Sequence, residues 1–150
     1  MKKLKIYLDT SVYSAIFDSR DLIRQKQTEE FWNNINDYEY YFSDINIEEI
    51  EGVSVSELKE KLKSLLKNGK KIETTTEVKE LTKIYISEGI VPEKYENDAL
   101  HIALTTVHSL DILISWNFKH LVKRKTRIGV NLINLKEGYK SIEILAPPEL

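Results

Sequence analysis

Short apolar runs alternate with stretches in which apolar residues recur every three or four positions. The runs are Leu4–Leu8, Tyr38–Phe42, Ile72–Thr75, Asp111–Ser115 and Ile142–Leu145, each of strand length. The periodic stretches between them predict helices over Ser11–Phe17, Leu22–Ile35, Ile45–Glu51, Ser54–Leu66, Val78–Ile86 and Asn97–Leu110. Residues 119–137 read as a further helix that Gly138 ends, with a strand over Val130–Leu135 as the alternative. Asn97–Leu110 is too apolar for a surface helix and belongs near the centre. "YEYYF" (38–42) reads as a core strand.

Strands that alternate with helices predict an α/β fold: a mostly parallel sheet of about five strands flanked by helices on both faces, three layers in all. The chain has 150 residues, five glycines and three prolines, and no Pro- or Gly-rich linker or repeat. One domain over residues 1–150 is the expectation.

The first strand raises a chemical question. "KIYLDTSVYS" (5–14) is an apolar run that stops at Asp9. A buried carboxylate without a partner is costly. Something must neutralise it, or a cation must reach it. In open parallel sheets ligands bind beyond the carboxyl ends of the strands, and Asp9 lies at such an end. Other oxygen-bearing groups follow the same rule. Glu48, Glu49 and Glu51 come after the second strand, Asn97 and Asp98 open the apolar helix, and Asn117 follows the fourth strand. Carboxylates gathered in one crevice repel each other. A hard divalent cation removes that repulsion and suits phosphodiester hydrolysis.

Composition narrows the field. There are no cysteines, so disulfides, thiolate zinc sites and thiol nucleophiles are excluded. That absence fits a cytoplasmic location. No apolar run reaches membrane-spanning length, so no membrane partner is expected. The net charge is −2, which leaves nucleic-acid binding to local patches. Two basic stretches exist: "KEKLKSLLKNGKK" (59–71), which reads as a solvated helix face, and "KHLVKRKTR" (119–127), which follows Asn117.

Four segments, "YLDTSV", "SDINIEEI", "NDALHIAL" and "DILISWNFKHL", resemble those of PIN-domain nucleases, the family that includes VapC-type toxins. The resemblance covers nearly the whole chain. It implies a PIN-like sandwich and Mg²⁺- or Mn²⁺-dependent cleavage of RNA. Asp9 matches the first family acid, Glu49 the second and Asp98 the third, which makes these three the expected metal ligands. Ser11 matches a supporting hydroxyl. At the fourth catalytic position the family often holds Asp, and here Asn117 stands instead. An amide ligates through its carbonyl oxygen or orients a water, but it gives up one negative charge. The resemblance leaves an antitoxin protein and a second copy of the chain open as partners.

Several residues carry two readings. Asp98 is also a common first-turn helix acid, and Asn117 a common turn residue. His101, three residues beyond Asp98, either ligates metal or is hydrogen-bonded inside the fold, and the second reading is the stronger. Trp116 and Phe118 read as anchors of the Asn117 loop, while Lys119 and His120 are placed to meet phosphate. The rival to a nuclease is a catalytically weak PIN-like module that binds RNA or a protein partner. A haloacid-dehalogenase phosphatase needs Asp-x-Asp after its first strand, and Ser11 stands at the second position. A receiver domain needs an acidic pair that is absent before Asp9.

Overall fold

The computed structural model describes residues 2–150. Five strands form one sheet: β1 (Lys5–Leu8), β2 (Glu39–Ser43), β3 (Lys70–Ile72), β4 (Ile112–Ile114) and β5 (Glu143–Leu145). Their order is β3-β2-β1-β4-β5 and every pair is parallel. Seven α-helices accompany them: α1 (Thr10–Ser14), α2 (Leu22–Asn33), α3 (Asp44–Glu51), α4 (Ser56–Leu66), α5 (Thr76–Ser87), α6 (Glu96–Val107) and α7 (Arg124–Glu137). The sheet is thus wholly parallel, between helices.

The chain builds outward from β1 to β2 and β3, then returns to the other side of β1 for β4 and β5. That reversal puts the carboxyl ends of β1 and β4 side by side, with Leu8 paired to Ile114. Ile6, Tyr7, Leu8, Leu113 and Ile114 have no solvent exposure. Continuous apolar runs of this kind are what a sheet covered on both faces requires. The apolar α6 is correspondingly central: every residue from Ala99 to Thr106 is buried.

Most expected boundaries shift by one to three residues, and two differ for a clear local reason. The third strand is Lys70–Ile72 rather than Ile72–Thr75. Threonines 74 and 75 have local work that competes with pairing. Thr74 donates from its N–H and hydroxyl to Asp44 Oδ1 at 3.0 and 2.7 Å, and the Thr75 hydroxyl caps α5 at the Val78 N–H. Residues 119–123 are not helical either. They wrap round Asn117, whose carbonyl accepts from the N–H groups of Leu121 and Val122, and the helix starts at Arg124.

The strand alternative over Val130–Leu135 does not occur. Gly129 lies within α7, and the position asks for glycine because Ile90 lies over it: a Cβ there would meet Ile90 Cδ1 at 2.4 Å. Gly138 ends α7 in the left-handed region at φ 86°. The basic stretch over 59–71 is a solvated face, with Lys63 and Lys59 on Glu51, Lys61 on Glu57, Lys70 on Glu39 and Lys71 on Glu73. Among the described residues no helix is long and apolar enough to cross a membrane.

Candidate active site

The site grows from the end of β1. Asp9 is buried and caps α1, accepting from the Ser11 N–H at 2.9 Å. Two hydroxyls complete its shell. Ser11 donates to Oδ1, and Ser115, just past β4, donates to Oδ2 at 2.5 Å. Each hydroxyl also accepts a backbone N–H from the β4 loop, Trp116 N–H on Ser11 Oγ and Asn117 N–H on Ser115 Oγ, both at 2.9 Å. Dipoles from the protein thus answer the burial of Asp9. The His101 charge acts beside them and is the largest single influence that opposes the burial. Burial still raises the Asp9 pKa, against the pull of the His101 charge and of the two serines.

Glu49 arrives on α3, whose start is pinned by a buried asparagine. Asn46 Oδ1 accepts from the Ser43 N–H at 2.9 Å. Its amide donates to Leu8 O at 3.2 Å and to Thr10 Oγ1 at 3.0 Å, tying the ends of β1 and β2 together. The Thr10 hydroxyl donates onward to Glu49 Oε1 at 2.7 Å. The same oxygen accepts from His101 Nε2 at 2.9 Å. On its other side His101 Nδ1 lies 2.7 Å from the Tyr7 hydroxyl, which lies 2.8 Å from Ser43 Oγ. A carboxylate only accepts, so the proton between Glu49 and His101 sits on Nε2.

Asp98 projects from the first turn of α6 and is half-buried. The Asn117 amide donates to its Oδ2 at 3.1 Å. Asn117 Oδ1 in turn accepts from the His120 N–H at 2.9 Å. Burial raises the Asp98 pKa, against His101 and with added repulsion from Asp9. Burial alone would push the His101 pKa down, but Glu49, then Asp9 and Asp98, carry it above the usual value. Glu49 feels burial first, yet its bonds to His101 and Thr10 bring its pKa below the usual value.

Asp9, Glu49, Asp98 and Asn117 therefore stand in one site at the carboxyl edge of the sheet, in two hydrogen-bonded sets, Asp9–Ser115–Asn117–Asp98 and Glu49–His101–Tyr7, that meet at the adjacent residues Asp9 and Thr10. Ser115, Thr10, Tyr7, Ser43 and Asn46 belong to it although the sequence did not mark them. Ser115 had a signal, as a small hydroxyl residue two positions before Asn117. Tyr7 had none, because it reads as an ordinary apolar strand residue. His101 takes the hydrogen-bonded role. Trp116 is buried, with Nε1 donating to Thr28 Oγ1 at 2.9 Å, and so anchors the loop. Phe118 does not: it is half exposed, packed edge-on to Trp116 and under Arg24.

Among the described residues no Lys or Arg pairs with Asp9, Glu49 or Asp98, and the one basic group that pairs with any of the three is His101, on Glu49. Nor do three Asp, Glu or His side chains stand grouped as a ready-made metal cage. Mg²⁺ asks for less: one or two carboxylates, with waters and phosphate oxygens filling the rest. The side chains here offer hard oxygen donors, and Asp98 Oδ1 takes no hydrogen bond within the described residues. The donor set fits such an ion.

A sequence profile of the PIN domain matches residues 6–119. The chain belongs to the PIN-domain family, a family of nucleases. Solved structures with the same fold include a VapC toxin and toxin–antitoxin complexes. Mycobacterium tuberculosis VapC20, a sarcin-ricin loop cleaving toxin, aligns with a TM-score of 0.63 and 13% identity over 77% of this chain and 92% of its own. The VapBC2 complex of Rickettsia felis, bound to a promoter DNA fragment, aligns at 0.58 and 14% over 95% and 98%. A toxin–antitoxin complex of Klebsiella pneumoniae aligns at 0.58 and 18% over 77% and 88%. No protein of curated function matches the sequence.

Proposed function

We propose that this protein is a divalent-metal-dependent endoribonuclease of the VapC toxin type, hydrolysing RNA phosphodiester bonds with Asp9, Glu49, Asp98 and Asn117. The observation that carries this is the placement of Asp9, Glu49 and Asp98, free of Lys or Arg partners among the described residues, at the edge where the sheet reverses direction. A fold does not keep such a cluster for stability, since each raised pKa marks a carboxylate that folding has made harder to ionise.

The chain's own residues divide the work by how they are held. Asp9 is fixed on both oxygens by Ser11 and Ser115, so its geometry is set before any ligand arrives. Glu49 is aimed by Thr10 and His101. Asp98 is steadied by Asn117 from one side only. Asp9, Glu49 and Asp98 are the ligands for Mg²⁺ or Mn²⁺, with Asn117 at the rim. When bound, the ion supplies activation of water and stabilisation of charge on the attacking and leaving oxygens. His101 spreads positive charge over Glu49, Asp9 and Asp98 in the metal-free protein.

The reading extends to context. The chain is one PIN domain acting in the cytoplasm, RNA is its substrate, an antitoxin protein its regulator, and a homodimer its working assembly. The VapBC neighbours support the antitoxin. A second reading, a catalytically weak module that binds RNA or a partner, draws on Asn117: its amide donates to Asp98 where the family often offers a carboxylate.

The test is cleavage of a mixed RNA pool with Mg²⁺, Mn²⁺ or EDTA, beside an Asp98→Asn variant. Cleavage that needs metal and Asp98 supports the nuclease. RNA binding with no cleavage in any metal moves the conclusion to the second reading.

A further inference from the structure

Beside Asp98 lies a cluster that the acid network does not use. Tyr95 immediately precedes α6. Its ring stacks on His120, centroids 4.2 Å apart and planes 34° from parallel. The ammonium groups of Lys94 and Lys119 each lie 5.7 Å from the same Tyr95 centroid. These two lysines come from different segments, one before α6 and one from the Asn117 loop.

Two further features need an occupant. Both lysines are exposed, and neither forms an ion pair among the described residues, although Glu93 and Glu96 are near in sequence. Two cations drawn to one ring without an anion repel each other. His120, moreover, is buried at 8% exposure, and its Nε2 has no hydrogen-bond partner in the chain. Buried polar atoms are rarely left so.

The cluster is also rigidly joined to the acids. The His120 N–H donates to Asn117 Oδ1, and the Asn117 amide donates to Asp98. The His120 carbonyl accepts from Thr126 at 2.9 Å, which fixes the loop to α7. Whatever sits on Tyr95 is therefore held at a set distance from Asp98.

We propose that Lys94, Lys119, Tyr95 and His120 form a nucleotide subsite that holds the RNA strand next to the bond to be cut. The ammonium groups take a backbone phosphate neighbouring the scissile one. The aromatic pair gives the adjoining nucleotide an apolar face, and His120 Nε2 gains a partner from the strand. This deepens the nuclease reading and rests on it for the identity of the strand. Aromatic and basic side chains together are the usual means of holding a single strand without reading its sequence.

The test is equilibrium binding of a short fluorescent single-stranded RNA in EDTA, where nothing is cleaved, as a function of salt. The variants are Lys94→Gln/Lys119→Gln, Tyr95→Leu, and Lys136→Gln near the far end of α7 as control. Each phosphate neutralised on a single strand contributes about 0.7 to the log–log salt slope, so losing the one that the two lysines share lowers it by about 0.7. The double lysine variant is expected to bind at least tenfold more weakly at low salt, with that drop in slope. Tyr95→Leu is expected to weaken binding with the slope unchanged, and the control to behave as the parent. The lysines are exposed, so their loss does not endanger folding. Parental affinity and slope in the double variant would overturn the subsite while leaving the nuclease reading intact. A parent that binds no RNA here yet cleaves it with Mn²⁺ would also overturn the subsite alone. A parent that neither binds nor cleaves RNA would overturn both.

Discussion

His101 Nε2 lies 2.9 Å from Glu49 Oε1, and that contact favours the protonated imidazole beside the acids. The imidazole is almost wholly buried and is gripped on its other nitrogen by Tyr7. It thus links the core of β1 to the acids. This pair explains how three carboxylates coexist before any metal arrives.

Replacing His101 by Leu should therefore separate stability from metal response. The variant takes one of the two hydrogen bonds of the Tyr7 hydroxyl, leaving Ser43 as its partner, and removes the donor and positive charge beside Glu49. A lost hydrogen bond to a charged group costs about 1.5–3 kcal/mol. Metal-free melting temperature should fall, and the rise on adding Mn²⁺ should exceed that of the parent, because the ion relieves more repulsion. Melting curves with and without Mn²⁺ give both numbers. An equal metal-induced rise in the two proteins would mean that His101 does not offset the acids' charge.

The same pair sets a pH dependence. His101 has a folded pKa above its unfolded value. Its stabilisation is therefore full below the unfolded pKa, about 6.5, and is lost as pH rises through the folded one. Asp9 and Asp98 are also raised, so they act with the same sign at lower pH. Glu49 is lowered, so it opposes them: its contribution is present above its unfolded pKa and lost as pH falls through the folded one. Metal-free stability should decline from about pH 6.5 into the alkaline range. Thermal melts in EDTA across that window should show the fall, and His101→Leu should flatten it. A parent curve that is level or rising there would contradict the raised pKa.

Asp9→Asn and Asp98→Asn should part company. Both should abolish metal binding and RNA cleavage. Asp98 takes one amide hydrogen bond and suffers repulsion from Asp9, so Asn there should leave metal-free stability equal or higher. Asp9 accepts from two hydroxyls that are themselves committed to backbone N–H groups. An asparagine would turn an NH₂ toward one of them, at a cost of about 1–3 kcal/mol. Chemical denaturation in EDTA measures the difference. Equal stabilities would mean that the Ser11–Asp9–Ser115 arrangement is not strained by the swap.

The sequence shows some of this and hides the rest, for physical reasons. β1 and β4 stand out because strands covered on both faces must be continuously apolar, β2 and β5 by their aromatic and aliphatic residues, and Asp9 stands out because it interrupts such a run. β3 is obscured, since "KKIE" carries one buried residue, Ile72, in an edge strand. The start of α7 is obscured because turns held by the Asn117 carbonyl look helical in composition. The positions of Asp9, Asp98 and Asn117 follow from strand ends and helix starts, while Glu49 is singled out from Glu48 and Glu51 only by the family resemblance. The hydroxyls that make Asp9 tolerable do not, because Ser115 and Thr10 look like any strand-end serine and threonine until β1 and β4 are paired. Tyr7 is further out of reach. Only the packing of α6 over β1 sets His101 against its hydroxyl.

Asn117→Asp should exchange metal-free stability for metal affinity. The native amide donates to Asp98 Oδ2 at 3.1 Å. Aspartate would put oxygen against oxygen at that distance, losing a hydrogen bond and adding a like charge. The Asp98 pKa, already raised, should rise further. The other contact survives, because a carboxylate oxygen accepts from the His120 N–H as the amide oxygen does. The loop should therefore keep its shape, and the loss should appear as repulsion alone. Melting temperature in EDTA should fall, most at neutral pH and above, and recover at acid pH as one carboxyl takes a proton. Mn²⁺ should restore it, and calorimetry should show metal binding tighter on the order of tenfold, since charge count is a main lever on hard-cation affinity. RNA cleavage should rise with occupancy if Asn117 only lacks charge. If the amide holds a water or a phosphate oxygen that a carboxylate would repel, metal will bind more tightly while cleavage falls. Unchanged metal affinity with a lowered melting temperature would take Asn117 out of the metal site and leave it a structural partner of Asp98.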